Sequence, residues 1–205
     1  MHDPLALMIA LMAAHGCLAL FSVALVERLL PILPSSLLFV SLGVGAASGH
    51  WPLATAAKLS VAGSLIGGLA LYGAGRNVDM RLLCALAARV AAPFGLGRER
   101  VEQIAARLRS GGRCFTFLAQ HWPTARVIAP AISGAVQVRL GVFLPALLAG
   151  VVLWNCSLIF AGYAAARLGG GNSSLAALLA VSTLLAAQLA WFAWRRRPRR
   201  RLPPR

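Results

Sequence analysis

The chain has 205 residues, of which 59% are hydrophobic and 12% charged, whereas a soluble domain has about 25% charged residues. Uncharged stretches recur that reach about 18 residues or more, the length that crosses a hydrocarbon core. This pattern excludes an ordinary soluble domain and predicts an integral membrane protein. The net charge of +15 lies mainly in arginines within residues 76–113 and 195–205. Such clusters mark cytoplasmic segments that contact anionic headgroups, an interpretation we favour over RNA or DNA binding.

The first predicted element is an N-terminal transmembrane helix over residues 1–26, which ends near Glu27. Residues 4–26 carry no Asp, Glu, Lys or Arg, and no lysine or arginine precedes them as in a cleaved signal peptide. The following segment, residues 29–48, contains prolines, which interrupt helices, and several glycines. It predicts either a re-entrant hairpin or a spanning helix with prolines in its first turn, which membrane helices tolerate.

Residues 55–75 predict a crossing helix that is rich in small residues. Its Gly63-x-x-x-Gly67 pattern permits the close approach of another helix. Tyr72 and Arg76, at its basic end, are typical of anchors at the membrane interface.

Residues 76–114 are predicted to be cytoplasmic and to contain an amphipathic helix. The apolar residues of its one face are Val101, Ile104, Ala105 and Leu108. With arginines on the opposite face, this spacing is typical of a helix in the headgroup plane; a helix packed on the bundle is the alternative. We expect Gly111 and Gly112 to end it.

A second broken segment is predicted over residues 115–136, and it contains Arg126 between two prolines. A charge at bilayer depth costs roughly 2.5–3.5 kcal/mol, so this arginine needs a partner or a function. Glu27 is the acidic residue in comparably apolar surroundings. Broken segment, turn and crossing helix occur in this order twice, which predicts an inverted repeat of the kind found in transporters.

The remaining chain predicts a crossing helix over residues 140–166, a C-terminal transmembrane helix within residues 171–194 and a basic cytoplasmic tail, residues 195–205. The predicted fold is an all-α membrane protein. It has about four crossing helices, two opposed re-entrant hairpins and an interfacial amphipathic helix, with residues 27–170 as its core.

The sequence also resembles a known family. The patterns are E-x3-P-x2-P-S, a glycine-rich helix that ends Y-x2-G-R, then G-G-x10-P-x2-R-x3-P-x3-G and F-x10-W. They are similar to those of the DedA family, whose bacterial members share the VTT or SNARE-associated domain with eukaryotic lipid scramblases. The matching positions are Glu27, Pro31, Pro34, Ser35, Gly63, Gly67, Tyr72, Gly75, Arg76, Gly111, Gly112, Pro123, Arg126, Pro130, Gly134, Phe143 and Trp154.

The resemblance implies re-entrant hairpins that face each other and a role in moving lipid phosphates, such as undecaprenyl phosphate, across the bacterial inner membrane. The protein would act as a transporter, flippase or scramblase, and proton coupling is proposed for some members. The chain departs from the family pattern at three positions. Gln120 replaces an arginine, His121 replaces an aromatic residue and Gly68 replaces an aspartate. An acidic residue of the first hairpin also has no counterpart.

The hypothesis for the site is that Arg126 binds an anionic headgroup, because its planar donors engage phosphate oxygens in pairs. Gln120, His121 and Ser35 would add neutral hydrogen bonds, and Glu27 would neutralise the arginine when the site is empty. The alternative is a non-transporting membrane-integrity or assembly factor in which Glu27 and Arg126 form a permanent structural pair. The residues expected to shape the hairpins and helices are Pro31, Pro34, Gly63, Gly67, Tyr72, Arg76, Pro123, Pro130 and Gly134.

No enzymatic activity, cofactor or metal site is predicted. The scarce acids and scattered histidines supply no nucleophile and base set, and the cysteines show no metal-ligand spacing. Each of the four cysteines is expected to be a buried small hydrophobic residue. The expected partners are membrane lipids, with protons as the candidate coupling ion.

Overall fold

The computed structural model describes residues 4–30, 35–79, 98–121 and 125–168, together with 82, 83, 85, 86 and 89. These residues form helices and no strand, which confirms the all-α prediction for this part of the chain. The helices are α1 (Pro4–Leu29), α2 (Ser35–Ala47), α3 (Leu53–Arg76), α4 (Arg98–Ala119), α5 (Ala125–Ala135) and α6 (Leu140–Leu168).

Three of these helices are long and apolar enough to cross a membrane. The first is the part of α1 from Ile9 to Leu29, with a mean hydropathy of 2.2. The other two are α3, with 1.4, and α6, with 2.1. The 13 residues of α2 and the 11 of α5 fall short of the roughly 20 that a spanning helix needs. The predicted fourth crossing helix, residues 171–194, and the tail lie outside the described residues.

The helices form two sets of three that pack in the same pattern. In each set the first helix packs against the third, so that α1 contacts α3 and α4 contacts α6. The middle helix packs against the third helix of the other set, so that α2 contacts α6 and α5 contacts α3. This exchange of middle helices joins the two halves into one bundle.

Glycines at matching positions permit these contacts. Gly63 and Gly150 are each the eleventh residue of their helix, and each faces the first helix of its own set. Gly75 and Gly162 are each the twenty-third residue, and each faces the backbone of a middle helix from the other set. A side chain would collide with backbone at Gly63, Gly75 and Gly162, and with the side chain of Gln120 at Gly150. The close packing therefore depends on glycine. The two halves therefore share a packing scheme that their sequences barely show.

The amphipathic prediction for α4 is confirmed, but its apolar face is not turned to the headgroups. Val101, Ile104 and Leu108 are buried and pack in one cluster with Ile128 and Ala129 of α5. The alternative prediction, a helix packed on the bundle, is the one that the structure supports.

One predicted boundary is wrong. Gly111 and Gly112 do not end α4, which continues to Ala119, because a glycine in a helix costs only about 1 kcal/mol and the following turns bury Thr116 and Ala119. Pro130, which follows Arg126 by four residues, lies inside α5, where it leaves the carbonyl of Arg126 without the usual helix donor.

One further expectation is corrected by the bundle surface. Cys17 and Cys114 are exposed and Cys156 is half-buried, because small apolar side chains are equally compatible with a surface that faces lipid. The helix α1 is also bent at Gly16, whose φ of 58° lies in the left-handed region that glycine adopts without steric cost.

Candidate functional site: a buried arginine cluster

The C-terminal ends of α1 and α4 and the first turn of α5 meet at one cluster of buried polar side chains. Arg126, in the first turn of α5, donates from Nη2 to Oε2 of Glu27, in the last turn of α1, over 3.0 Å. The two side chains are only 2% and 4% exposed. The structure thus brings together the charged residues that the sequence singled out as partners.

Aromatic rings complete the surroundings of Arg126. The guanidinium carbon lies 5.3 Å from the ring centroid of Trp154 on α6 and 5.9 Å from that of Phe39 on α2. At these distances the faces of aromatic rings attract a cation. Nε and Nη1 of Arg126 have no hydrogen-bond partner among the described residues. Two of its three nitrogens are therefore buried without an acceptor in the described part of the chain.

A second buried arginine, Arg28, belongs to the same cluster and was missed by the sequence analysis. It is 1% exposed, and its Nη2 donates to Oε1 of Gln120. The Nε atom has no partner within the described part of the chain. Gln120 is itself held in place because its amide nitrogen donates to the carbonyl of Thr116 over 3.2 Å.

Arg28 fits inside the bundle because α3 offers it two adjacent glycines. A Cβ at Gly67 would lie 2.8 Å from Cβ of Arg28, and a Cβ at Gly68 would lie 3.6 Å from its Nε. In the sequence, Arg28 follows Glu27 near the end of a predicted helix, a position typical of a charge at the membrane interface. The signal that could have revealed it is Gly68, where the family resemblance implies an aspartate.

The cluster carries one positive charge in excess. Among the described residues it holds two guanidinium groups and one carboxylate, all less than 5% exposed. An uncompensated buried charge is costly, and so is a buried donor without a partner. Nε1 of Trp154, like the unpaired nitrogens of both arginines, has no partner among the residues that the structure describes. Such an arrangement is suited to an anion with several acceptor oxygens, such as a phosphate group.

His121 lies at the edge of this cluster and is half-buried. Its Nδ1 donates to the carbonyl of Phe117 over 3.2 Å, and its ring stands edge-on to Trp154 at 6.2 Å between centroids. With the proton on Nδ1, Nε2 of the neutral ring is an acceptor. It has no partner within the described ranges and could receive the hydrogen of a protonated phosphate oxygen.

The other predicted site residues are placed as follows. Ser35 begins α2. Tyr72 is buried rather than interfacial: its hydroxyl donates to the carbonyl of Val138 over 2.6 Å, and Nη1 of Arg76 donates to that hydroxyl over 3.3 Å. Gly134 packs against the backbone of Tyr72. The predicted positions Pro31, Pro34 and Pro123 lie outside the described residues.

Among the residues that the structure describes, no group of three or more histidine, cysteine, aspartate or glutamate side chains could hold a metal ion. Apart from the carboxylate of Glu27, the side chains of the cluster are cationic, aromatic, imidazole or amide. They include hydrogen-bond donors of the kind that bind anions.

Comparison with known proteins gives one distant relationship. The chain is 25% identical over 147 residues to undecaprenyl phosphate transporter A of Staphylococcus aureus (strain NCTC 8325 / PS 47), and the match covers 72% of each protein. No protein-family model matches the chain, and no solved structure matches it. The similarity supports a DedA-type family and, with the three apolar helices, a membrane protein.

Proposed function

We propose that this protein moves anionic lipid phosphates across the bacterial inner membrane, as a transporter or scramblase. The observation that carries the proposal is the excess positive charge of the buried cluster, together with its unpartnered donors. A cluster that served only to join helices would be more stable if it were neutral. The distant similarity to a transporter of undecaprenyl phosphate supports the same class of substrate.

In the proposed mechanism, the phosphate group of a lipid enters between Arg28 and Arg126. The free nitrogens of the two arginines supply charge-assisted hydrogen bonds, which are about twice as strong as neutral ones. Glu27 and the phosphate compete for Arg126. An arriving phosphate therefore weakens the ion pair between Glu27 and Arg126, and its departure restores the pair. The carboxylate thereby keeps the empty site from carrying two uncompensated charges.

The proposed membrane arrangement places this cluster within the bilayer. Because α2 and α5 are too short to span, we propose that each forms the inner arm of a re-entrant hairpin. Two contacts support the proximity of the two hairpins: Glu27 with Arg126, and Arg28 with Gln120. Residues 76–114 and the basic tail would lie in the cytoplasm, which makes the two hairpins enter from opposite sides.

Proton coupling is part of the proposal. Nε2 of His121 offers a proton acceptor at the edge of the cluster and has no partner among the described residues. Transport with and without a pH gradient across the vesicle would reveal such coupling as a change in rate.

A second candidate is favoured by the ion pair itself. At 3.0 Å and almost no exposure, Glu27 and Arg126 could serve as a permanent contact in a non-transporting assembly factor. In that case the exchanged pair Glu27→Arg with Arg126→Glu would retain function, because only the contact would matter. In a transporter the exchange moves the phosphate-binding cation and lipid movement is lost.

The direct test is lipid movement in liposomes that contain the purified protein and a fluorescent lipid phosphate. We expect Arg126→Gln to abolish the protein-dependent movement and Arg126→Lys to retain part of it. Size-exclusion profile and melting temperature show whether each variant is folded. Undiminished movement by a folded Arg126→Gln variant contradicts the proposal. Release of inorganic phosphate from the lipid, measured in the same vesicles, would identify an enzyme in place of a transporter.

A further inference from the structure

An open apolar groove runs along the bundle between α4 and α6. It is lined by Cys114, Phe117, Pro145, Ala146 and Ala149, and encloses about 500 Å³. The side chains of Cys114, Pro145 and Ala149 are exposed at its mouth, while Ala146 is buried at its floor. The groove exists because the residues on both walls, apart from Phe117, are small.

The other half of the bundle has a larger side chain at the matching position. Ala146 is the seventh residue of α6, and the seventh residue of α3 is Leu59, which packs against the core formed with α1. The two halves otherwise share the glycine contacts of their third helices. Because Ala146 is small, the shared packing scheme leaves an open groove between α4 and α6.

The groove lies next to the arginine cluster. Its lining residue Phe117 is in the last turn of α4, and its ring centroid is 5.1 Å from that of His121, just after this helix. On the α6 side, Ala146 and Ala149 precede Gly150, against which Cβ and Cγ of Gln120 pack. The walls of the groove thus adjoin Gln120, whose amide receives the hydrogen bond of Arg28.

We infer that this groove holds the hydrocarbon tail of the lipid whose phosphate binds at Arg126 and Arg28. The inference rests on the proposed function and extends it, because it assigns the tail a place on the protein. The charged arginine cluster matches the phosphate head of such a lipid, and the apolar groove beside it matches the hydrocarbon tail. The head crosses through the cluster while the tail stays in contact with the groove and the bilayer.

The exposed cysteines allow binding to be tested independently of transport. In a variant with Cys84→Ala and Cys156→Ala, the alkylation rates of Cys114 and Cys17 by a maleimide are measured in detergent. The ligands are dodecyl phosphate, dodecanol and inorganic phosphate. Cys17 is the internal control, since it is exposed on α1 and does not line the groove.

We expect dodecyl phosphate to slow alkylation of Cys114 about fivefold or more, as a ligand well above its Kd would, without affecting Cys17. Dodecanol and inorganic phosphate should give little protection, and Arg126→Gln should remove the effect of dodecyl phosphate. Absence of protection overturns the inference. So does equal protection by dodecanol and dodecyl phosphate, because the groove would then be ordinary lipid-facing surface. Protection in a protein that moves no lipid would retain the groove and overturn transport.

A second variant tests the groove without relying on Arg126. Ala149→Trp places a large side chain at the mouth, and Leu153→Trp places the same side chain at an exposed position of the same helix outside the groove. We expect Ala149→Trp to lower long-chain lipid phosphate movement about tenfold, equivalent to ~1.4 kcal/mol, and Leu153→Trp to leave it unchanged. Equal rates for the two variants overturn the inference.

Discussion

Gly68 of α3 lies directly beside the buried guanidinium of Arg28: a Cβ at this position would be 3.6 Å from Nε of the arginine. The nearest other obstacle would be the side-chain tip of Leu147, at 3.0 Å. A side chain at residue 68 would therefore grow toward an arginine nitrogen that has no partner among the described residues. The glycine leaves the positive charge of the cluster uncompensated, as the proposed binding of a phosphate requires.

The Gly68→Asp variant tests this relationship. We expect the new carboxylate to pair with Arg28 and cancel the excess charge, so that lipid phosphate movement falls about tenfold or more, the effect of losing one charge-assisted contact of ~1.5–3 kcal/mol. Gly68→Asn is the matched control, because it has the same shape without the charge. Lipid movement in liposomes measures both variants. If the two lose activity equally, the cause is steric and the charge argument fails.

Removal of the carboxylate should have the opposite electrostatic effect. Glu27→Gln leaves two buried guanidinium groups without a counter-ion, and breaking a buried pair on one side costs about 3–5 kcal/mol. We expect a clearly lower melting temperature in detergent, which dodecyl phosphate raises more in this variant than in the wild type. The control is Glu99→Gln on the exposed surface of α4, expected to change stability by at most about 0.5 kcal/mol. A Glu27→Gln protein that keeps the wild-type melting temperature would contradict the counter-ion role.

Part of this architecture could be predicted from the sequence because membrane insertion leaves strong marks on composition. That α1, α3 and α6 are long and apolar enough to cross a membrane follows from long stretches with few charged residues. The relation of Glu27 to Arg126 follows from the cost of an isolated charge at depth. Both predictions use local sequence and a single physical rule each.

The remaining features could not be predicted because they depend on contacts between distant segments. Arg28 becomes part of the site only because Gly67 and Gly68 provide room for it, and the sequence gives no sign that α1 crosses α3 at this point. The course of α4 through Gly111 and Gly112 also depends on burial of the following turns against the bundle. A glycine pair alone indicates a break but does not determine one.

The packing of α3 on α5 makes a prediction about stability alone. A Cβ at Gly75 would lie 1.9 Å from the carbonyl oxygen of Ala131, whereas a Cβ at Gly73 would meet nothing within 4 Å. We expect Gly75→Ala to force α3 and α5 apart and destabilise the fold by roughly 1–3 kcal/mol or more. Gly73→Ala on the same helix should stabilise by up to about 1 kcal/mol. Melting temperatures in detergent compare the two, and a similar shift for both would mean that the helices do not approach as closely as described.

Arg28 itself gives the clearest separation of stability from function. Arg28→Gln removes the excess charge but keeps Glu27 paired with Arg126, so the cluster becomes neutral. We expect a melting temperature equal to or above that of the wild type, because an uncompensated buried charge is lost, together with a lipid movement reduced about tenfold or more.

Arg139→Gln, at an exposed position outside the cluster, is the control and should change neither quantity. An assembly factor would respond differently, since its function would follow its stability and Arg28→Gln would retain it. Normal lipid movement by a folded Arg28→Gln protein would show that the phosphate does not engage this arginine. A melting temperature that falls with activity would instead mean that Arg28 holds α1 to Gln120 and to the turn after α4. The paired measurement therefore decides whether the second guanidinium binds substrate or joins helices.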